Sequence, residues 1–426
     1  MSTSTDDERY MAEAIRLGLL HLGQTSTNPS VGCVVVKDGE IVGRGTTAIG
    51  GRPHAEPQAL AEAGSRAEGA TAYVTLEPCS HFGKTPPCAN SLIAAGVSRV
   101  VISVTDPDER VSGRGIAMLE DAGIAVDTGV LEEEGRRSLA AYLTRQTKKR
   151  PYVTLKLAVS ADGMIGRRGA GQVAITGPAA RAAVQKLRAE SDAILIGIGT
   201  AIADDPELTV RIAGQETRSP VRIVLDPALS LPVTGKLART ARDVPVIVVA
   251  REELSDLADV EGSPPSVLPD ISPTRGEIDP EHPSSDAFHV GASGSAQPIS
   301  PLVGEIGWAE GGNPTTDTSE LDSRRTALEA LGIEILYCNP YHPEVLLPAL
   351  ASRGISSLIV EGGARTARLF LDAGLVDRIQ LYQGDVVIGT DGIESPVTKT
   401  DMPSGFALRG TFAFGPDRMD EYEREL

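Results

Sequence analysis

Short runs of β-branched residues alternate along this chain with segments whose apolar residues recur at helical spacing, and that alternation restricts it to a layered α/β architecture. Met11, Ile15, Leu19 and Leu20 fall on one face of a helix expected over 7–22, with Gly23 as its stop. VGCVVVKDGEIVGRG reads as a hairpin turning at Lys37-Asp38-Gly39. HAEPQALAEAG follows as a helix, AYVTLEP as a strand, CANSLIAAG as a helix and VSRVVISV as a strand. A second α/β unit opens near Pro151 with YVTLKLAVSADG, behind the basic stretch Arg145 to Arg150, which reads as an exposed linker. Its further strands are expected at AILIGIG, VRIVLD, VPVIVVA, GIEILYC and SSLIVEGG, separated by helices such as PAARAAVQKLRAE. The expected domains are 1–149 and 150–426.

The stretch from about 260 to 323 breaks this pattern. It is rich in Pro, Gly and Ser without sustained periodicity and reads as a mostly disordered insertion, since structureless ordered loops of such length are uncommon in compact domains. The 58 acidic residues outnumber 40 basic ones, for a formal charge of −18, and aromatic residues make up only 4%. Both weigh against a nucleic-acid partner, which needs basic surface and stacking platforms. No apolar run approaches the roughly 20 residues that span a bilayer, and the first residues lack the order of a secretory leader. The expectation is a soluble cytoplasmic chain with no membrane partner.

Four cysteines are too few for a disulfide framework in 426 residues. Two of them, with one histidine, form a more specific pattern. His54-Ala55-Glu56 stands directly before an apolar-periodic helix, where Pro57 costs no intrahelical hydrogen bond. The strand AYVTLE then runs into Pro78-Cys79, and Cys88 opens the next helix. A helix N-terminus carries free N–H groups and partial positive charge, which favour the thiolate that binds zinc. Three protein ligands, His54, Cys79 and Cys88, leave the fourth tetrahedral position open, as in catalytic rather than structural zinc sites. Glu56 is then a carboxylate that is not a ligand, placed to move protons during hydrolytic deamination. Cys33 within VGCVVV and Cys338 at a strand end read as core residues.

The H-x-E and P-C pattern resembles the cytidine-deaminase superfamily, with the usual C-x-x-C replaced by the longer step from Cys79 to Cys88. TNPSVGCVVV, HAE and TLEPCSHFGKTPPC resemble more closely the family of bifunctional riboflavin-biosynthesis deaminase–reductases. YVTLKLAVSADG, ITGPAARAAVQKLRAESDAILIGIGTAIADDPELTVR and LIVEGGARTARLF extend the resemblance through the second unit. The resemblance implies an N-terminal cytidine-deaminase-like three-layer domain followed by a dihydrofolate-reductase-like α/β domain. It also implies two reactions: zinc-dependent deamination of 2,5-diamino-6-(5-phosphoribosylamino)pyrimidin-4-one, then NADPH reduction of the ribosyl to the ribityl side chain.

By the same resemblance, Asn28 contacts the pyrimidine in the first site, and His81 and Lys84 lie in a loop beside it. Ala158, Ala174, Thr200, Asp204 and the turn Gly363-Ala364-Arg365-Thr366-Ala367-Arg368-Leu369 correspond to NADP-binding positions. A Gly-Gly turn feeding a helix suits a pyrophosphate, because backbone N–H groups can approach it closely. Lys156, Gln172, Arg188, Leu208, Arg211 and Glu361 correspond to positions around the substrate, with Lys156 and Glu361 the candidates to polarise or protonate the sugar. The two arginines suit its phosphate, since guanidinium grips phosphate oxygens in bidentate fashion. The family tendency implies a homo-oligomer. Ala174, where the family often carries an aromatic residue, and the insertion motivate an alternative: a deaminase whose degraded reductase-like domain serves only as a scaffold or dimerisation module.

Overall fold

The computed structural model describes residues 5–82, 86–108, 111–251 and 318–425. Lys84 and most of the 260–323 stretch lie outside the described residues. The end of that stretch is ordered, because a helix (Thr318–Glu329) begins inside it.

In the first domain, strands β1 (Gly32–Lys37), β2 (Glu40–Thr46), β3 (Thr71–Leu76), β4 (Arg99–Val104) and β5 (Ala125–Thr128) form one sheet in the order β2-β1-β3-β4-β5. β1 runs antiparallel to both neighbours, whereas β3, β4 and β5 are parallel. Asp38 (φ 51°) and Gly39 (φ 81°) make the β1–β2 connection a two-residue turn with both centres left-handed, the geometry that matches strand twist. Helix α1 (Thr5–Gly18) covers one face of the sheet, packing Tyr10, Met11, Ala14 and Leu17 against Val34, Val36, Tyr73 and Val101. Helices α2 (Ala55–Ala63), α3 (Cys88–Ala94) and α4 (Arg114–Asp121) cover the other. This is the expected three-layer arrangement.

Helices α5 (Glu132–Ser138) and α6 (Ala140–Lys148) close the domain, and here the linker expectation fails. Residues 145–148 are the last turn of α6, whose Tyr142 belongs to the first domain's core. Arg150 is buried, not exposed: its Nη1 and Nη2 donate to Asp377 at 2.6 and 2.8 Å. A run of basic residues looks solvated in sequence because the carboxylate that neutralises it lies far along the chain.

The second domain contains β6 (Tyr152–Val159), β7 (Met164–Arg167), α7 (Pro178–Ala189), β8 (Ala193–Gly197), α8 (Ile198–Asp204), β9 (Val221–Leu225), α9 (Lys236–Arg239) and β10 (Val246–Ala250). After the insertion come α10 (Thr318–Glu329), β11 (Glu334–Tyr337), α11 (Pro343–Ser352), β12 (Ser357–Val360), α12 (Ala364–Asp372), β13 (Arg378–Gln383), β14 (Gly392–Glu394), β15 (Phe406–Phe414) and β16 (Asp417–Arg424). Nine strands form one sheet in the order β11-β10-β9-β8-β12-β6-β13-β16-β15, while β7 and β14 pair as a separate ribbon. The strands from β11 to β13 are all parallel, and β16 and β15 close the far edge antiparallel. Both faces are covered, so the central strands read as continuous apolar runs such as VIVVA.

After β8 the chain moves outward to β9, and after β12 it moves the other way to β13, past β6. The carboxyl ends of β8 and β12 therefore flank the point where strand order reverses, which is where open α/β sheets bind ligands. Among the described residues, no helix is long and apolar enough to cross a membrane.

Candidate active sites

His54 is the residue immediately before α2, in extended conformation, so its side chain projects at the helix N-terminus. The preceding segment is fixed by Gln58, whose side-chain nitrogen donates to the carbonyls of Thr46, Pro53 and His54. Helix α2 lies directly on β2 because Gly43 and Gly45 lack side chains. A Cβ at either would come about 2 Å from the carbonyl oxygens of Ala59 and Ala55.

From that position His54 Nδ1 stands 3.3 Å from Cys88 Sγ and 3.8 Å from Cys79 Sγ. The ligand atoms of all three residues lie within 4.8 Å of one another. Tetrahedral bonds of about 2.0–2.3 Å would separate such atoms by roughly 3.5–3.8 Å, so the constellation is the size of a zinc site. Its donor chemistry also fits. The Cys88 backbone N–H donates to Cys79 Sγ at 3.3 Å. The hydrogen bond from the Cys88 thiol, then those from His54 and this N–H, hold the Cys79 thiol down at about 4; the same bond and burial push Cys88 up. The half-buried Cys79 is thus the thiol of the pair whose surroundings favour the thiolate, where a cation would sit.

Glu56, in the first turn of α2, is only 3% exposed. Burial first, and then the charge of Cys79, raise its carboxyl above the usual range. Cys33 is fully buried in β1, as its apolar setting in sequence implies, and Cys338 is buried as well. Asn28 packs its side-chain amide against Gly51, with its backbone fixed by a turn in which Thr25 Oγ1 donates to the Asn28 carbonyl at 2.7 Å.

Sequence reasoning missed Glu77, two residues before Cys79. It is 3% exposed and accepts backbone N–H groups from Asp106 (3.3 Å), Gly113 (3.0 Å), Gly115 (3.0 Å) and Ile116 (3.4 Å). The carboxylate thereby caps the N-terminus of α4 and anchors the end of β3 that delivers Cys79. The only signal was an acidic residue at the end of an otherwise buried strand.

The second candidate site gathers residues from distant parts of the chain at the carboxyl ends of β6 and β12. Glu361 directly follows β12, and Arg188 on α7 grips it with Nη2–Oε2 at 2.9 Å and Nε–Oε1 at 3.3 Å. Both are nine-tenths buried. Burial pushes the Glu361 carboxyl up, but the charges of Arg188 and Lys156 outweigh it and the net shift is downward. Lys156 on β6 is itself lowered, by burial first, partly offset by Glu361. Its Nζ stands 5.6 Å from the ring centroid of Tyr382, a β13 residue that sequence reasoning passed over because no strand was expected there.

The positions expected to surround NADP divide. Gly362 (φ 104°) packs so closely on Thr200 that a Cβ would lie 2.8 Å from its Oγ1, and Thr200 Oγ1 accepts the Gly363 N–H at 3.2 Å. Thr200 and the first turn of α12, Gly363 to Thr366, therefore meet between β8 and β12. Ala367 and Leu369 instead turn into the core, since a helix has free N–H groups only in its first turn. Arg365 and Arg368 are exposed. Ala158 lies on β6 opposite Tyr382, and Asp204 ends α8 with its carboxyl raised by burial.

Among the positions expected around the substrate, Arg188 belongs to the buried pair, not to a surface salt bridge. Leu208 is 4% exposed and its side chain is core, in a left-handed backbone conformation (φ 56°) uncommon for a bulky residue. Arg211 is exposed and pairs with Glu207 at 3.4 Å, while Gln172 and Ala174 are exposed on the segment before α7.

A family model described as the RibD C-terminal domain matches residues 151–280 and 313–419, over half of the chain. The chain belongs to the RibD family. A second model, the cytidine and deoxycytidylate deaminase zinc-binding region, matches residues 4–104. The RibD protein of Aquifex aeolicus is 35% identical over 90% of this chain and 88% of its own length. That of Actinobacillus pleuropneumoniae is 32% identical over 99% and 96%. Among solved structures, Acinetobacter baumannii RibD superimposes with a TM-score of 0.74 at 29% identity, covering 99% of both chains. A Thermotoga maritima diaminohydroxyphosphoribosylaminopyrimidine deaminase/5-amino-6-(5-phosphoribosylamino)uracil reductase gives 0.73 at 28% identity, covering 98% of this chain and 99% of that one. As a RibD family member the chain is a bifunctional riboflavin-biosynthesis enzyme, with a zinc-dependent deaminase domain and an NADPH-dependent reductase domain. Nothing in these matches favours the scaffold alternative.

Proposed function

We propose that residues 1–149 deaminate 2,5-diamino-6-(5-phosphoribosylamino)pyrimidin-4-one and that residues 150–426 reduce the ribosyl group of the product to ribityl. The convergence of His54, Cys79 and Cys88 around a point beside buried Glu56 carries the first assignment. Zinc held by those three residues supplies Lewis-acid activation of water at neutral pH. Glu56 takes a proton during attack at the amidine carbon and returns it to the amino group. The C–N bond breaks and ammonia leaves, with one water consumed. Burial of Glu56 raises its affinity for the proton it must carry between the two events. Asn28, set against Gly51, offers its amide to the pyrimidine edge.

For the second step we assign NADPH to the crevice between β8 and β12. Thr200 and the first turn of α12 take the pyrophosphate, with Ala158 and Asp204 alongside and the main chain around Ala174 at the rim. NADPH supplies a hydride to the ribosyl carbon. Lys156, its proton loosened by burial, donates toward the opening sugar oxygen, while Glu361 orients it. Arg211, held beside Gln185 by its own backbone N–H (2.7 Å), has an exposed guanidinium free enough to meet the substrate phosphate. We place Gln172 and the main chain of Leu208 around the same ligand, with Arg188 acting through Glu361. A cytoplasmic homo-oligomer acting on this small phosphorylated pyrimidine completes the assignment, and light scattering of the purified chain tests its oligomeric state.

The experiment is to supply the diaminopyrimidine phosphate to the zinc-loaded enzyme with and without NADPH and to identify products by mass. Without NADPH the deaminated ribosyl compound is expected; with it, the same compound carrying two more hydrogens. Deamination without any NADPH consumption would refute the second assignment.

A further inference from the structure

We infer that the second domain holds the Asn28 loop of the first in place, with Arg218 as a positioning residue for deamination. The loop from Leu22 to Asn28 meets three groups that do not belong to the deaminase sheet or the helices α2 to α4 packed on it. Arg218, just before β9, donates from Nη2 to the Leu22 carbonyl at 3.1 Å, while its Nη1 is fixed by Gln215 Oε1 at 3.0 Å. Gly23 (φ 70°) sits against the end of α7, where a Cβ would lie 2.8 Å from the Glu190 carbonyl carbon and 3.1 Å from the Ala189 oxygen. Arg145, from the last turn of α6, donates from Nη2 to the Thr27 carbonyl at 2.8 Å. Burial lowers its pKa, and the nearby charge of Asp192 in the second domain partly compensates.

On its inner side the same loop is tied to the segment that delivers the metal ligand. Gly50 N–H donates to the Gln24 carbonyl at 2.8 Å, and the Asn28 amide rests on Gly51. From there Ala48 N–H reaches the Pro53 carbonyl at 3.0 Å, one residue before His54. A displacement of Leu22–Gly23 therefore reaches Asn28 through one short, hydrogen-bonded loop. The end of α7 that Gly23 touches lies one residue beyond Arg188, so a single helix borders both sites. Leu22 and Gly23 belong neither to the His54, Cys79 and Cys88 cluster nor to Glu56, so the hold acts on substrate binding and not on the chemical step.

The inference rests on the assignment of the Asn28 loop to the pyrimidine. Its test uses the full-length, zinc-loaded enzyme. Arg218→Met should raise KM for deamination about tenfold, the scale of one lost charged hydrogen bond, with deaminase kcat, zinc content and reductase kcat unchanged. Arg218→Lys should recover part of the affinity, and Gly23→Ala, which pushes on the loop from the α7 side, should raise KM likewise. An unchanged KM in both Arg218→Met and Gly23→Ala overturns the inference, as does a parallel fall of both activities with melting temperature. Asn28→Ala separates the two readings. If KM rises there but in neither Arg218→Met nor Gly23→Ala, the hold is wrong; if it rises in Arg218→Met and Gly23→Ala but not there, the hold stands and Asn28 loses its role.

Discussion

The two sites are built at very different sequence range. The metal cluster and Glu56 of the deaminase site lie between residues 54 and 88, at two helix N-termini and just past the strand between them. The reductase cluster draws Lys156, Arg188, Glu361 and Tyr382 from four elements that become neighbours only because β12 inserts between β6 and β8. A site made of local contacts depends on its own helix caps and thiolate chemistry. One made of distant strands depends on the whole sheet being in register, and its charges must be neutralised across the fold.

The largest effect should come from Glu56→Gln, which tests the autonomy of the first site. Deaminase kcat should fall by about 10²–10⁴-fold, the usual scale for a lost general acid–base, with zinc content and reductase activity retained. Metal analysis and separate assays of the two steps check this. Loss of reductase activity in the same variant would break the comparison.

Glu361→Ala probes the opposite dependence, because it leaves the Arg188 guanidinium buried without its partner. A cost of about 3–5 kcal/mol to the second domain is expected, together with loss of reduction, read by denaturant unfolding and NADPH oxidation. Deamination should survive wherever the domain remains folded. Gly362→Ala is milder: the left-handed backbone and the approach of Thr200 predict displacement of the Gly363 N–H, a rise in KM for NADPH and little change in deamination.

The smallest effect concerns Asp106, whose carboxyl burial raises to about 6 although Tyr142 Oη and the Asp108 N–H donate to it. The folded chain binds this proton more tightly than the unfolded chain does. This group therefore lowers stability progressively as pH rises from about 4 to about 6, and the full penalty remains above that range. Asp106→Asn keeps an acceptor and removes the penalty, so its melting temperature relative to the parent should improve between pH 4.5 and 7.5. An equal difference at both pH values would show that burial of Asp106 is not costly.

The hairpin, the helix before Gly64 and the strand into Pro78 were legible because apolar period and turn chemistry are local. The left-handed Asp38-Gly39 turn and the β-branched runs beside it leave few alternatives. The same holds for the metal ligands, since His54 and Cys88 sit at helix starts and Cys79 just past the end of a strand, positions that sequence can mark. The regions between 105 and 150 and beyond 372 were not legible. Their helices are short and their strands alternate weakly, as in RIQLYQ, so packing rather than propensity decides them. Arg145–Arg150 looked solvated for the same reason that Glu77 looked ordinary: the partner of a buried charge is set by the fold.

Sequence alone thus determined the layered α/β class, the two units, and the His54, Cys79 and Cys88 cluster that could hold a metal, all carried by residue types at short spacing. Only the tertiary structure decided that Glu77 anchors the strand into Cys79, that Arg188 is committed to Glu361, and that Arg218 reaches the Asn28 loop. Those are contacts between buried or half-buried polar groups far apart in the chain. Their free energy exists only once water has been excluded and the partner brought within hydrogen-bond distance.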